Sequence, residues 1–166
     1  MARRHAVCRI AATGSSTRSV SIDGETIDLY TYKPAQYNGG PLLLVLHGLG
    51  ANASGYRDHA IPLADAHGFL VIAPLFGRKR FPTWRYQTGG LVRNQLIDGE
   101  FQVEPATQWT EKLFLRIIDN VRAAEGRPDL GYSLIGHSAG GQALSRFAAF
   151  ITPAAQQLAQ EALAGN

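Results

Sequence analysis

One stretch near the end of the chain combines a buried-strand pattern, a serine and closely spaced glycines. It runs from Tyr132 to Gly141 and reads YSLIGHSAGG. The apolar run ends at Gly136, Ser138 follows two residues later, and a helical pattern begins after two further glycines. A sharp turn from a strand into a helix holds a serine in a strained conformation, so its neighbours two places away, Gly136 and Gly140, must be small. The pattern predicts a nucleophilic serine, although a G-x-S-x-G pattern also occurs by chance in glycine-rich turns.

The predicted helix after Ser138 adds a way to stabilise negative charge. Its N-terminus points at the serine, and backbone N–H groups at a helix N-terminus favour anions. We therefore expect the N–H of Ala139 to donate a hydrogen bond to an oxyanion that develops beside Ser138.

A second glycine-rich loop follows the continuous apolar run of residues 42–46, which is typical of a parallel strand covered on both faces. The loop, residues 47–53, reads HGLGANA. If Gly48 and Gly50 let the backbone approach a substrate oxygen, the N–H of Leu49 becomes the second oxyanion donor. His47, at the end of the strand, is predicted to hold the loop rather than to act in catalysis.

The same loop satisfies a loose dinucleotide-binding fingerprint, since Gly48, Gly50 and Ala53 have the required spacing. That fingerprint also needs an acidic residue near the end of the next strand to bind a ribose. The next strand, residues 69–74, has no acidic residue at its end. A nucleotide-binding domain is therefore the remote alternative.

The remaining patterns predict the elements that position these two loops. Residues 19–24 and 26–32 alternate in polarity around an Asp-Gly turn and predict a β-hairpin. Residues 54–67 read as a helix, and a second amphipathic helix is predicted to begin at Thr107 and to end at Gly126.

Between these two helices, residues 75–105 are predicted to form a long irregular segment rich in aromatic and basic residues. We interpret it as a lid or a substrate-lining excursion, with packing of Phe81 and Trp84 or binding of single-stranded nucleic acid as the alternatives.

These elements predict an α/β fold: a mainly parallel central sheet with helices on both faces and an N-terminal β-hairpin. The strands of residues 42–46, 69–73 and 131–135 should be parallel neighbours. The domain organisation is a loose tail over residues 1–18, the α/β domain over residues 19–153, and a weak C-terminal helix or tail over residues 154–166.

Composition limits the classes of partner. The chain has 166 residues, 45% of them hydrophobic, and a net charge of +3, which is typical of a globular domain and too small to indicate a nucleic-acid-binding protein. A single cysteine, Cys8, offers neither a disulfide nor a metal cluster, so neither metal nor cofactor is expected. No apolar run is long enough for a membrane span, and no apolar segment follows Arg3 and Arg4 to make a signal peptide. A cytoplasmic protein is expected, or a secreted one if a leader has been lost.

The sequence has two motifs, His47-Gly48-Leu49-Gly50 and Gly136-His137-Ser138-Ala139-Gly140. Together they resemble the motifs of the α/β-hydrolase family, in particular its esterase and polyester-depolymerase branch. The resemblance covers residues 19–153. It implies that Ser138 is the nucleophile, that Leu49 and Ala139 donate the oxyanion-hole hydrogen bonds, and that the substrate is a small ester or a polyester. The implied activity is carboxylic ester hydrolysis through an acyl-serine intermediate.

The sequence departs from that family after the serine. In the family an Asp or Glu and then a His follow the nucleophile, but the residues after Ser138 contain no His and no Asp, and Glu161 is their only carboxylate. We therefore expect a truncated copy of the fold that lacks the triad Asp and His and is a poor catalyst alone. An exposed sheet edge would then favour self-association. A non-catalytic binding module with the same fold is the main alternative.

Overall fold

The structure, a computed structural model, describes residues 11–97 and 100–150. Seven strands, five α-helices and one 3₁₀ turn are described in these ranges. In chain order they are β1 (Gly14–Ile22), β2 (Glu25–Lys33), β3 (Leu42–Leu46), α1 (Ala53–His59), α2 (Ile61–His67), β4 (Leu70–Pro74), α3 (Thr83–Tyr86), β5 (Val92–Ile97), β6 (Glu100–Val103), the 3₁₀ turn Ala106–Gln108, α4 (Glu111–Glu125), β7 (Tyr132–Gly136) and α5 (Ala139–Phe150).

Five strands form the central sheet in the order β1-β2-β4-β3-β7. Strand β3 pairs in parallel with both β4 and β7, with Leu42 opposite Leu70 on one side and Tyr132 on the other. This confirms the prediction of three parallel neighbours. Strand β2 pairs antiparallel with β1 and with β4, so the predicted hairpin extends the same sheet. Strands β5 and β6 form a separate two-stranded sheet.

Helices cover both faces of the sheet, as predicted. Successive side chains of a strand point to opposite faces, so Leu42, Leu44 and Leu46 pack with the apolar residues of α4 and α5. Leu43 and Val45, the alternate residues, pack instead with the small apolar residues of α1 and α2. Because both faces of β3 are buried, its sequence has to be apolar throughout.

The predicted turn at Asp23 and Gly24 is confirmed, since both residues have positive φ angles, 51° and 81°, as the primed turns of tight hairpins require. The strand before it begins earlier than predicted. Strand β1 starts at Gly14, so the assignment of residues 14–18 to a loose tail was wrong. This edge strand is largely polar and is defined mainly by its backbone pairing with β2, which a hydrophobic pattern does not reveal. Residues 1–10, including Cys8, lie outside the described residues.

The prediction of one long irregular segment over residues 75–105 was also wrong, because the structure shows helix α3 and the β5–β6 hairpin within it. Helix α3 has a single turn, and the middle of β5 is polar, so neither has a readable periodicity. Helix α4 begins at Glu111 rather than Thr107, since a 3₁₀ turn and the extended residue Trp109 precede it. It ends where Gly126 adopts the left-handed conformation, as predicted. The C-terminal helix or tail predicted for residues 154–166 lies outside the described residues.

The carboxyl ends of β4, β3 and β7 meet at one edge of the sheet, where ligands of open α/β sheets bind. Strand β2 runs the opposite way, with Leu29 opposite Pro74, so its first residues and the turn at Asp23 lie at this same edge. Within the described residues, β7 pairs with β3 alone. None of the helices in the described ranges is long and apolar enough to cross a membrane.

Candidate active site

Ser138 lies in the turn between β7 and α5 with a φ angle of 53°. Left-handed backbone is uncommon for residues other than glycine and costs about 1–3 kcal/mol, so such residues often mark functional turns. The strain predicted from the sequence is therefore present. The side chain is exposed at the edge of the sheet where the parallel strands end.

The glycines two places before and after Ser138 have a steric reason. A Cβ on Gly136 would lie 2.5 Å from the carbonyl carbon of Gly140. A Cβ on Gly140 would lie 2.5 Å from the carbonyl oxygen of Leu46 and 2.8 Å from that of His47. All these atoms belong to the backbone and cannot rotate away. The start of α5 can therefore pack on the ends of β7 and β3 only when Gly136 and Gly140 are both glycine.

The loop after β3 lies against Ser138. A Cβ on Gly48 would be 3.6 Å from the Cβ of Ser138 and 3.2 Å from the hydroxyl of Tyr56. The loop ends where the side chain of Asn52 accepts a hydrogen bond from the N–H of Gly55 and caps α1. A Cβ on Gly50 would meet nothing within 4 Å, so the structure gives no steric reason for that glycine.

The side chain of His47 fixes the orientation of the Gly48–Leu49 peptide. The ring is buried, its Nε2 accepts a hydrogen bond from the N–H of Phe76 at 3.0 Å, and its Nδ1 lies 2.7 Å from the carbonyl oxygen of Gly48. Because Nε2 accepts, Nδ1 carries the proton and donates to that carbonyl. Burial lowers the pKa of His47, which favours this neutral form. The predicted structural role of His47 in holding the loop is confirmed.

The N–H groups of Leu49 and Ala139, the two expected oxyanion donors, stay predictions, and the structure shows how each is oriented or bonded. The N–H and C=O of a trans peptide point in opposite directions, so the N–H of Leu49 points away from the His47 ring. Ala139 is the first residue of α5, and the first N–H groups of a helix have no partner within it. Among the described residues, neither N–H donates to another group of the chain. Both donors are therefore free to bind a ligand oxygen.

Two residues that sequence reasoning missed hold the loop from outside. Arg78 donates from Nε to the carbonyl oxygen of Leu49 at 2.6 Å. The hydroxyl of Tyr86 donates to the carbonyl oxygen of His47 at 2.6 Å, and its ring packs against the His47 ring with centroids 4.9 Å apart. Burial raises the pKa of Tyr86, so the hydroxyl stays a donor. No local sequence signal identifies these contacts, because they join residues 29 and 39 positions apart.

The segment after β4 lines a cavity of about 280 Å³ beside Gly48 and Leu49, to which it contributes Phe76, Arg78 and Phe81. Phe81 is at the same time buried in the core. The segment therefore supplies both a cavity wall and core packing, two of the roles considered for it.

No histidine is hydrogen-bonded to the Ser138 hydroxyl in the part of the chain that the structure describes. The ring of His137 is turned toward α1, where its Nδ1 lies 2.8 Å from the hydroxyl of Tyr56. His59 is exposed on the same helix, with its ring centroid 6.4 Å from that of Tyr56. The two neighbours His137 and Ser138 thus point in different directions, as a sharp turn requires.

The close approach at Gly140 gives a stability prediction. Gly140→Ala should lower the free energy of unfolding by about 1–3 kcal/mol, because the new methyl group collides with backbone carbonyls. Gly77→Ala is the matched control, since a Cβ there meets nothing within 4 Å, and it should leave stability nearly unchanged. Urea unfolding of the two variants measures the difference. Equal stabilities would contradict the packing described at the start of α5.

The buried His47 gives a pH prediction. Its pKa in the folded chain is below the usual 6.5, so the unfolded chain binds a proton that the folded chain excludes. The stabilising contribution is complete above about pH 6.5 and is lost as the pH falls from there toward the folded-state pKa. His47→Gln should therefore unfold with a weaker pH dependence between pH 7.5 and 5 than the parent chain. Parallel melting temperatures across this range would show that His47 is not buried and neutral.

No protein-family model matches the sequence, and a comparison with curated proteins finds no significant match. Solved structures do match. A poly(3-hydroxybutyrate) depolymerase from Bordetella parapertussis is 33% identical, with a TM-score of 0.71, over 84% of this chain and 50% of its own. A poly(aspartic acid) hydrolase from Sphingomonas sp. KT-1 is 29% identical, with a TM-score of 0.74, over 85% of this chain and 53% of its own.

More distant structures share the fold. An acetyl xylan esterase from Aspergillus awamori has a TM-score of 0.53 at 17% identity, over 75% of this chain and 43% of its own. The chain therefore spans about half the length of the solved structures that it matches. The parallel sheet, the turn at Ser138 and these similarities agree: the chain has the α/β-hydrolase fold and corresponds to its N-terminal part.

Proposed function

We propose that this chain carries the nucleophile and the oxyanion hole of a serine hydrolase that cleaves carboxylic esters through an acyl-serine intermediate. The observation that supports this most is the strained, exposed Ser138 with two backbone N–H groups, those of Leu49 and Ala139, at the same edge of the sheet and without a partner among the described residues. The solved structures that match the chain at about 30% identity are a poly(aspartic acid) hydrolase and a poly(3-hydroxybutyrate) depolymerase.

In this mechanism the Oγ of Ser138 attacks the carbonyl carbon of the ester, and the carbonyl oxygen becomes an oxyanion. The N–H groups of Leu49 and Ala139 donate to that oxygen, and the N-terminus of α5 adds a favourable field. Collapse of the intermediate expels the alcohol and leaves the acyl group on Ser138. Water then attacks the acyl-serine, the carboxylic acid departs, and the serine hydroxyl is restored.

Both steps need a base that accepts a proton from Ser138 or from water. His47 is committed to Gly48 and Phe76, and His137 faces Tyr56. We propose that the base and its carboxylate partner belong to polypeptide beyond this sequence, in the half of the matched structures that the chain does not span. Among the described residues β7 has a strand on one side only, and the other side is where further strands would join; left uncovered, that edge would favour self-association.

The substrate in this proposal is a polyester or a small ester. The match to a poly(3-hydroxybutyrate) depolymerase supports a polyester. The second candidate function is a binding module with no chemistry, and the orientation of His137 toward Tyr56 supports it.

A diffusible base should reveal the nucleophile. The 166-residue chain should be acetylated slowly by p-nitrophenyl acetate, because an unassisted serine is protonated and retains only the contribution of binding and the oxyanion hole. Added imidazole should speed acetylation by at least about tenfold, since general bases contribute roughly 10²–10⁴-fold when they are positioned and less when they diffuse. Mass spectrometry should place the acetyl group on Ser138.

Two variants control this experiment. Ser138→Ala should lose the imidazole-dependent acetylation, whereas Ser133→Ala, which removes another exposed hydroxyl, near the start of β7, should keep it. A chain that is never acetylated at Ser138 would favour the binding module. Ordinary esterase turnover by a monomer in size-exclusion chromatography, without imidazole, would place the base within this chain and return attention to His47 and His59.

A further inference from the structure

A second and larger cavity, of about 710 Å³, lies at the same edge of the sheet as Ser138. The β1–β2 turn, the segment around α3 and the start of α4 form its walls. Pro82 lines both this cavity and the smaller one beside Gly48 and Leu49, so the two cavities are adjacent and share this residue as a wall. We name the larger cavity the basic groove after the six cationic residues that line it: Lys79, Arg80, Arg85, Arg93, Lys112 and Arg116.

The six cations of the basic groove outnumber the described carboxylates that pair with them. Among the described residues that line the groove, Asp23 and Glu25 are the only carboxylates. Glu25 binds Arg85 at 2.6 Å, and Asp23 lies 3.5 Å from Arg116.

A third carboxylate, Glu104, binds Arg93. Lys79, Arg80 and Lys112 then have no carboxylate partner among the described side chains. These three cations come from two separate elements, the segment after β4 and the first turn of α4. Like charges that line one cavity repel one another, and an anion bound there would relieve that repulsion, so their placement suits an anionic ligand.

The aromatic residues of the groove argue against nucleic acid. The guanidinium of Arg93 lies over the ring of Trp84 at 5.1 Å. Trp109 is only 1% exposed, and its indole N–H donates to the carbonyl oxygen of Glu104. Binding of single strands relies on aromatic faces that are free to stack on bases. Of the two aromatic residues that line the groove, Trp109 is buried and Trp84 already has a guanidinium over its ring, whereas the guanidinium and ammonium groups of the groove suit carboxylates.

We propose that the basic groove binds carboxylate groups of an extended polyanionic acyl substrate and delivers an uncharged linkage of the same molecule past Pro82 to Ser138. The delivery step rests on the proposed function, but the binding step does not. A polyanion suits the groove better than a small acid does, because cations on two separate elements can each neutralise a different carboxylate of one chain.

Binding can be measured without catalysis, because the two tryptophans of the sequence, Trp84 and Trp109, both line the groove. Poly-L-aspartate should change the tryptophan fluorescence of the 166-residue chain and bind less tightly as salt is added. The groove variant Lys79→Gln/Arg80→Gln should raise the Kd at least about tenfold, because each lost cation removes a charge-assisted hydrogen bond. The control variant Arg18→Gln/Arg127→Gln makes the same change of net charge outside the groove and should bind within about twofold of the parent chain.

Two further variants keep the test independent of folding and of the proposed function. Lys79→Arg/Arg80→Lys retains both charges and should restore binding, which separates lost charge from lost fold. Ser138→Ala should bind poly-L-aspartate normally, so failure of the acetylation experiment and failure of the groove are distinguishable. Equal weakening by the groove and control variants, or no binding by the parent chain, would overturn the proposal. Tighter binding of single-stranded DNA than of poly-L-aspartate would overturn the carboxylate assignment.

Discussion

The structure depends on the close contact between the first turn of α5 and the end of β3. Gly140 lies directly on the carbonyl oxygens of Leu46 and His47, with no room for a side chain between them. The parallel pairing of β3 with β7 brings the two ends to the same level, and the strained turn at Ser138 then points into the space beside Gly48. The candidate nucleophile and a loop from a distant part of the sequence meet because two backbones can touch at this point.

The second constraint is the fixed orientation of the loop after β3. A glycine-rich loop would otherwise sample many peptide orientations, and an oxyanion donor is effective only when it is fixed before the charge develops. His47 fixes one peptide through Gly48, and Arg78 holds the next through the carbonyl oxygen of Leu49. Tyr86 and Phe76 in turn hold His47. The segment after β4 thus organises the candidate site as well as lining the cavities beside it.

The parts of this arrangement that sequence reasoning could predict are those encoded by local patterns. The residues of β3 must be apolar because both faces of the strand are buried. The residues two places from Ser138 must be glycine because backbones touch there. The first residues of β1 were missed because they are largely polar, and the β5–β6 hairpin was missed because the polar middle of β5 interrupts its apolar pattern. The roles of Arg78 and Tyr86 could not be predicted, since only the tertiary fold brings them to the loop.

The central claim is that Leu49 and Ala139 form one oxyanion hole with Ser138, and amide chemical shifts test it most directly. A ¹⁵N-labelled chain that carries a fluorophosphonate adduct on Ser138 presents a phosphoryl oxygen where the oxyanion would lie. The account predicts that the amide protons of both Leu49 and Ala139 move downfield on adduct formation, while that of Gly55, which is already bonded to Asn52, does not. An adduct on Ser138 that leaves the Leu49 amide unchanged would contradict it.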